Sequence, residues 1–428
     1  MIRPCFSASL LVIAACATLQ GAARAQDSRP NILIFMADDQ YMASVGCYGA
    51  EPSHTPNIDR LAAEGVRFTQ CFTPSAICTP NRAAFLSGML PLKNGAHPNH
   101  SGFFDGVKSL PNYMKELGYR AALINKDGIR RPSDIYAWET WIRESNTPLP
   151  GATQPRSRRH RATRFDAVEK IMTADDGRPF CIVHAARQPH TPYLGRIPNG
   201  LEGYDASNWQ LDADLGRYLQ LLEQHGLVEN TIVIYTNDNE ANIPRSKYTL
   251  YDTGIRVPFI VRWPGHTTAG ESSDAMVSFL DVLPTLVEIA GGESDPVWDG
   301  RSMRGVWEGT AETHHEELYF SFTGISLGSD RKTTPFPIRA LRTDRYKYVR
   351  NLNYTLGHPS QDGVAVPYEE LYDLEADPAE RSNLADASEL GDLKRSLSAK
   401  VDAWMKATDD EGIESELEAL RRYPVEEQ

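Results

Sequence analysis

The stretch NILIFMADD, residues 31–39, joins a mostly apolar run to a pair of aspartates. A short run that is apolar throughout, rather than at alternate positions, is typical of a strand buried on both faces of a parallel sheet. Four further runs have the same texture: RAALI (120–124), FCIVHA (180–185), TIVIYT (231–236) and PFIVRW (258–263). The sequence therefore predicts a sheet of buried, largely parallel strands.

Segments with helical spacing lie between these runs, at 57–65, 110–118 and 209–226. Alternating strand and helix signals predict a doubly wound α/β domain, which we assign to residues 26–315. Beyond this point the runs ELYFSF, YKYVRN and EELYDLE have the aromatic, alternating composition of antiparallel strands, and 390–407 has helical spacing. We therefore expect a smaller C-terminal α+β subdomain over 316–428, carrying an antiparallel sheet.

Polar residues follow the predicted strands at the end where α/β sheets bind ligands. Asp38 and Asp39 follow the first run, and Asp238 and Asn239 follow TIVIYT. Either pair alone is also typical of an ordinary loop, where Asp and Asn are common. Two pairs in the same register favour a single site made of oxygen atoms, which suits Ca²⁺ or Mg²⁺ better than zinc. Lys126 and the residues Arg187 and His190 follow two further runs.

The overall composition limits the classes of protein to which the chain can belong. The chain has 428 residues, 24% of them charged, and a net charge of −13, which argues against a general nucleic-acid binder. An apolar N-terminal stretch ending in Ala-Arg-Ala at 23–25 predicts a signal peptide over 1–25 and export to the periplasm or the extracellular space. A lipoprotein anchored through Cys16 is the alternative. No later run is long enough to predict a transmembrane segment.

A cysteine opens the stretch CTPNRAAFLSG (78–88). Pro80 fits the first turn of a helix with Thr79 as its N-cap, so Cys78 would lie just before a helix N-terminus. Such a terminus attracts anions, and Arg82 adds a guanidinium suited to sulfate or phosphate oxygens. A thiolate here would be activated, yet soft sulfur matches a Ca²⁺-like ion poorly.

These residues carry a resemblance to a known family. Cys78-Thr79-Pro80-Asn81-Arg82 resembles the C-x-P-x-R signature of the type I sulfatases, and AAFLSG (83–88) resembles its usual x-x-L-L-T-G extension. The resemblance covers nearly the whole mature chain, including the segments at 30–40, 55–72, 251–265 and 370–384. It implies an alkaline-phosphatase-like, doubly wound mixed sheet flanked by helices.

The resemblance also implies roles for individual residues. Cys78 would be oxidised by a formylglycine-generating enzyme to formylglycine, whose hydrate places oxygen where the thiol stood. The positions that match the family's cation ligands, usually for one calcium, are Asp38, Asp39, Cys78, Asp238 and Asn239. Arg82 would stabilise the hydrate. The positions that match its sulfate contacts are Lys126, His190 and Lys247, with His190 the candidate proton donor to the leaving group.

Three positions depart from the family pattern. Gly128 stands where the family usually has a histidine that helps to expel sulfate, which puts turnover in question. Glu240 replaces the usual glycine after Asp238-Asn239, and Asn81 stands where a small residue is common. The basic stretch PRSRRHR (155–161) is interpreted as a solvated surface loop.

The segments 109–126, 242–254 and 337–354 are most similar to the heparan N-sulfoglucosamine sulfohydrolase (sulfamidase) group. We therefore predict an exported hydrolase that releases sulfate from a sulfated mono- or oligosaccharide, with N-sulfated glucosamine as the first candidate substrate. The alternatives are an O-sulfated polysaccharide sulfatase, a phosphonate or phosphoester hydrolase on the same fold, and a sulfoglycan-binding protein without turnover. An oligomer is compatible with the sequence.

Overall fold

The computed structural model describes residues 29–129, 137–327, 332–353 and 366–422. The predicted signal peptide at 1–25, including Cys16, lies outside these ranges. Within them, no helix combines the length and the apolar character that crossing a bilayer requires.

A nine-stranded mixed sheet forms the centre of the larger part of the described chain. Its strands are β1 (Asn31–Asp38), β2 (Val66–Phe72), β3 (Arg120–Asn125), β4 (Thr140–Ile142), β5 (Phe180–Pro189), β6 (Thr231–Asn237), β7 (Arg256–Arg262), β8 (Glu271–Ser273) and β9 (Val277–Ser278). The spatial order is β4-β3-β5-β1-β6-β7-β2-β8, with β9 also paired to β2. Strands β4, β3, β5, β1 and β6 are parallel, so their carboxyl ends lie at one edge of the sheet.

The helices of this part are α1 (Pro56–Ala63), α2 (Cys78–Ser87), α3 (Pro91–Asn94), α4 (Leu110–Glu116), α5 (Phe165–Met172), α6 (Gly203–Gln224), α7 (Asp252–Ile255), α8 (Val282–Ile289) and α9 (Arg304–Trp307). They cover both faces of the sheet, because alternate residues of a strand point to opposite faces. In β1, Ile32 and Ile34 pack in one core with α2, α4 and α8. Leu33 and Phe35 pack in a second core with α1, α5 and α6.

A separate four-stranded antiparallel sheet follows. It comprises β10 (Glu317–Phe322), β11 (Ile338–Thr343), β12 (Tyr346–Asn351) and β13 (Glu369–Asp373), and the helices after it are α10 (Gly391–Ala407) and α11 (Ile413–Arg422). Phe72 of β2 packs against Phe320 of β10 with the ring centroids 6.0 Å apart. Lys347, fully buried, bridges Asp252 of α7 and Glu380, which fastens the two parts together.

The predicted fold class is confirmed: a mixed α/β sheet is flanked by helices and a smaller antiparallel sheet follows it. The helix predicted over 209–226 begins earlier, at Gly203. Its first turn lacks apolar spacing, since it opens with Gly203-Tyr204-Asp205, and the periodicity therefore gave no signal for it. The boundary between the two parts near residue 315 stays a prediction.

The Asp281 carboxylate ties the end of the main sheet to the segment that leads into β10. Its Oδ2 accepts a hydrogen bond from the Ser278 backbone N–H at 2.8 Å and lies 2.9 Å from His315 Nε2. Its Oδ1 accepts from the Arg301 backbone N–H at 3.0 Å. Burial alone would raise the pKa of Asp281, but hydrogen bonds from His314 and His315 lower the pKa to about 2. The ionised carboxylate therefore stabilises the folded chain.

We expect Asp281→Asn to lower the free energy of unfolding at pH 7 by about 2 kcal/mol, from the fall in pKa between 3.8 and about 2. Because the folded-state pKa is depressed, this stability is fully present above about pH 4 and is lost as the pH falls toward 2. Denaturant unfolding at pH 7 and pH 3 measures the difference from wild type. The exposed Asp344→Asn is the matched control and should show no difference. If Asp281→Asn lowered the free energy of unfolding by the same amount at pH 7 and pH 3, the ionised carboxylate would not be the source of this stability.

Candidate active site

Four parallel strands deliver polar residues to one edge of the main sheet. Lys126 follows β3, His190 follows β5, Asp38 ends β1 with Asp39 next to it, and Asp238 follows β6. The strands are neighbours in the order β3-β5-β1-β6, so these residues converge. Asp39 adopts a left-handed backbone with φ of 59°, a conformation that Asp tolerates better than most residues.

Helix α2 brings Cys78 and Arg82 to the same edge. The helix begins at Cys78 itself, and Ile77 is the residue before it, so the predicted N-cap role of Thr79 is wrong. The Thr79 hydroxyl instead donates to the Gly128 carbonyl at 2.8 Å and accepts from the His100 backbone N–H at 3.0 Å. Thr79 is therefore used to join α2 to the loop after β3.

Three carboxylates surround the cysteine. The Cys78 sulfur lies 3.8 Å from Asp38 Oδ1 and 3.7 Å from Asp39 Oδ1. One candidate ligand atom from each of Asp38, Asp39, Asp238 and Cys78 lies within 4.8 Å of the others. All four residues are buried. Three buried carboxylates this close together need cationic partners.

Each carboxylate has a cationic partner. Lys126 Nζ lies 2.7 Å from Asp38 Oδ1, and Lys247 Nζ lies 2.6 Å from Asp39 Oδ1. Arg82 contacts Asp238 Oδ2 through both Nε and Nη2 at 2.8 Å. Burial alone would raise the pKa of Asp38, but neighbouring cations, with Lys126 the strongest, lower it well below its usual value. Asp38 is therefore ionised.

Two buried acceptor oxygens in this cluster have no hydrogen-bond partner: Asp38 Oδ2 and Asn239 Oδ1. The Asn239 amide nitrogen donates to Asp39 Oδ1 at 2.8 Å, which turns its oxygen away from that carboxylate. Unsatisfied buried oxygens are costly, and a hard cation is the ligand that such atoms accept. The donor set of Asp38, Asp39, Asp238 and Asn239 therefore fits a Ca²⁺-like or Mg²⁺-like ion.

His190 lies at the mouth of the cluster, with its side chain 21% exposed and Nε2 at 3.4 Å from Asp39 Oδ2. Nδ1 lies 2.6 Å from the Thr191 carbonyl oxygen, which can only accept, so Nδ1 carries a proton. In the neutral ring, Nε2 is then free to accept a proton. Once the ring is protonated, Nε2–H is free to donate that proton. This geometry suits a general acid–base group.

The thiol of Cys78 is not activated in this environment. Burial, together with Asp238, raises its pKa to about 12 despite Lys247 and Lys126. The expectation of a thiolate promoted by the helix N-terminus is therefore wrong, because burial and the carboxylates of Asp238 and Asp39 oppose the negative charge. Within the described residues Cys78 is free, as are Cys47, Cys71 and Cys181.

Gly128 is enclosed by the site. Its φ is +73°, and a Cβ built on it would lie 2.5 Å from Arg82 Cδ. A side chain here would force Arg82 away from Asp238, and the left-handed backbone would strain most residues. The structure thus explains why glycine stands at this position.

The structure brings together all nine residues that the sequence singled out for the site, and it adds one that the sequence did not. Arg159 Nη1 lies 3.5 Å from Asp38 Oδ2. The interpretation of 155–161 as a purely solvated loop is therefore wrong at this residue. No pattern in PRSRRHR distinguishes Arg159 from its neighbours, since the approach depends on how the loop folds back over β5. Arg187, the other residue that follows the FCIVHA run, lies within β5 and pairs with Glu144.

Comparison with known proteins adds family information. The family model described as Sulfatase matches residues 30–292, and a model described as N-sulphoglucosamine sulphohydrolase, C-terminal, matches 245–407. The chain is 32% identical to an ulvan-active sulfatase of Formosa agariphila, over 89% of this chain and 81% of that protein. It is 27% identical to human N-sulphoglucosamine sulphohydrolase, over 90% of this chain and 91% of that protein.

Among solved structures, the fold matches a protein whose structure was determined with its substrate D-glucosamine-2-N,6-O-disulfate. The TM-score is 0.72 at 21% identity, covering 90% of this chain and 99% of that chain. At this identity the match establishes a shared fold.

A cation in the carboxylate cluster should stabilise the folded chain by mass action. We expect Ca²⁺ added after chelation to raise the melting temperature of wild type and to have no effect on Asp238→Ala, which loses an anionic ligand. Asp344→Asn should respond as wild type does. Thermal unfolding against Ca²⁺, Mg²⁺ and Zn²⁺, with metal analysis of the untreated protein, measures the effect. A response to Zn²⁺ alone would rule out a hard-cation site.

Proposed function

This chain belongs to the sulfatase family, whose members hydrolyse sulfate esters and sulfamates. We propose that its substrate is a glycan with a terminal N-sulfated glucosamine, which is a sulfamate. We further propose that residue 78 acts as formylglycine and that the cation is calcium. The observation that carries the chemistry is the cysteine inside a cluster of oxygen ligands with two unsatisfied acceptors, Asp38 Oδ2 and Asn239 Oδ1.

The choice of sugar is supported by the C-terminal part of the chain. The N-sulphoglucosamine sulphohydrolase C-terminal model begins at 245, so its match includes Lys247, whose ammonium group lies 3.5 Å from the Cys78 sulfur. The relative with the same name covers the chain almost end to end. The ulvan-active relative, at higher identity, favours the second candidate, an O-sulfated polysaccharide.

Residue 78 and the cation would supply the oxygen nucleophile and a positive charge against the sulfuryl oxygens. The fit is chemical as well as geometric, because an oxygen at this position matches a hard cation better than sulfur does. Arg82 Nη2 also lies 3.5 Å from Asp38 Oδ1, so its guanidinium is held between two carboxylates. From there it holds the position of Asp238 and the start of α2.

Lys126, Lys247 and His190 would bind and orient the sulfate group. Each ammonium group has three N–H donors. The contact of Lys126 with Asp38 leaves donors for ligand oxygens, whereas Lys247 contacts both oxygens of Asp39 and the Cys78 sulfur and would exchange one of these contacts for sulfate. Preorganised cations of this kind stabilise the negative charge that develops on transferring oxygens. His190, with Nδ1 held by the Thr191 carbonyl, would deliver a proton from Nε2 to the departing amine or hydroxyl of the sugar.

Other parts of the functional proposal rest on the sequence. Export through the signal peptide at 1–25, maturation by a formylglycine-generating enzyme, and any oligomer stay proposals. Export would place the protein in the compartment where polysaccharide fragments occur.

The first functional prediction concerns the tryptic peptide Phe68–Arg82, which contains both Cys71 and Cys78. In active protein, fragment masses should show that Cys78 has lost sulfur and two hydrogens and gained one oxygen. Cys71, buried in the apolar core, should remain a thiol and serves as an internal control. Cys78→Ala should abolish sulfate release. Full activity with an unmodified Cys78, or in the alanine variant, would refute the formylglycine mechanism.

The second functional prediction concerns the substrate. A panel of N-, 2-O-, 3-O-, 4-O- and 6-O-sulfated mono- and disaccharides should release sulfate fastest from terminal N-sulfated glucosamine. Removing a sugar hydroxyl that the site binds should cost more than removing a methylene, because a buried polar group would lose its partner. Released sulfate measures the outcome.

The panel, extended with aryl sulfate and aryl phosphonate esters and with binding measurements on the sulfated sugars, separates the alternatives. Release from O-sulfated sugars alone would reject the N-sulfated substrate while keeping the sulfatase. Faster turnover of aryl phosphonate esters than of any sulfate compound would favour a phosphonate hydrolase. Binding of sulfated sugars without release, in protein shown to carry formylglycine, would identify a binding protein without turnover.

A further inference from the structure

Arg159 lies at the active site without a role in the proposed chemistry. It is part of the short helical turn Arg158–His160 and keeps 28% of its side chain exposed. Its Nη1 is buried 3.5 Å from Asp38 Oδ2 and has no hydrogen-bond partner. One edge of the guanidinium is therefore buried and faces the carboxylate cluster. The exposed part of the side chain remains accessible to a ligand.

The loop that carries Arg159 is fixed to the segment that carries His190. His160 is buried, and its Nδ1 accepts from the Gln154 backbone N–H at 3.0 Å. Its Nε2–H then donates to the Pro192 carbonyl at 2.8 Å. The Gln188 side-chain amide donates to the Arg159 carbonyl. These contacts hold the Arg159 backbone beside His190. The guanidinium is therefore already positioned at the site before a ligand binds.

Two other cations of the site, Arg82 and Lys247, are committed to carboxylates. Arg82 is buried, and its Nε and Nη2 contact Asp238 Oδ2, with Nη2 also near the Ala37 carbonyl. Lys247 is engaged by both oxygens of Asp39. By contrast, no hydrogen bond from the Arg159 guanidinium occurs among the described residues, and this group carries five N–H donors in a fork that matches a tetrahedral oxyanion.

We propose that Arg159 is a further sulfate-binding residue, which donates hydrogen bonds to an oxygen of the bound sulfate group beside Asp38. The inference rests on the proposed function, because it assigns Arg159 to the same sulfate site. Asp38 holds the guanidinium near the cluster through charge, and the loop contacts of His160 set its direction. A guanidinium bound to sulfate also offsets charge that accumulates on the oxygens during transfer.

The test compares Arg159→Gln with Arg158→Gln, which removes the same charge from an exposed neighbour in the same turn. Binding of inorganic sulfate to the calcium-loaded protein is measured by titration calorimetry, independently of turnover. We expect Arg159→Gln to weaken sulfate binding and kcat/KM by about tenfold or more, as loss of a charged hydrogen bond implies. Arg158→Gln should stay within about twofold of wild type on the same scale.

Arg159→Lys keeps the charge but loses the fork, so it should fall between wild type and Arg159→Gln. Matching melting temperatures would show that the variants fold alike. Equal sulfate affinity in Arg159→Gln and Arg158→Gln, or no sulfate binding by wild type, would overturn the proposal. If wild type binds sulfate through Arg159 but releases none from the sugar panel, the proposed function fails and the Arg159 assignment stands.

Discussion

Three carboxylates buried at one sheet edge are the constraint on which the rest of the structure depends. Candidate ligand atoms of Asp38, Asp39 and Asp238 lie within 4.8 Å of one another, so each like-charge pair costs on the order of 3 kcal/mol at an effective dielectric constant of ~20. Lys126, Lys247 and Arg82 each pair with one of these carboxylates and offset the repulsion. The two acceptor oxygens that still lack a hydrogen-bond partner define where a hard cation would bind.

The same constraint explains the position of the cysteine. Placed between carboxylates and raised in pKa to about 12, the Cys78 thiol is neither an activated nucleophile nor a suitable ligand for a hard cation. A derivative with oxygen in place of sulfur would suit a hard cation as a ligand and could act as the nucleophile. Gly128 follows from the same crowding, because Arg82 occupies the space that a side chain there would need.

Much of the fold and of the candidate site was predictable from the sequence. Continuous apolar runs mark buried parallel strands, and because their carboxyl ends coincide, the polar residues just after them, such as Asp38 and Asp238, must converge. The start of α2 and the approach of Arg159 were not predictable. The first is set by tertiary contacts that recruit Thr79 to Gly128, and the second by His160, whose two hydrogen bonds fold a basic loop back onto the site.

A hard cation held against an oxygen atom at position 78 would be visible in a high-resolution crystal structure of active protein grown with calcium and a sulfated ligand. We expect oxygen in place of sulfur on the Cβ of residue 78, and one cation in contact with that oxygen and with Asp38, Asp39, Asp238 and Asn239. Sulfur at position 78 in protein that releases sulfate, or an oxygen cluster without a cation, would contradict this expectation.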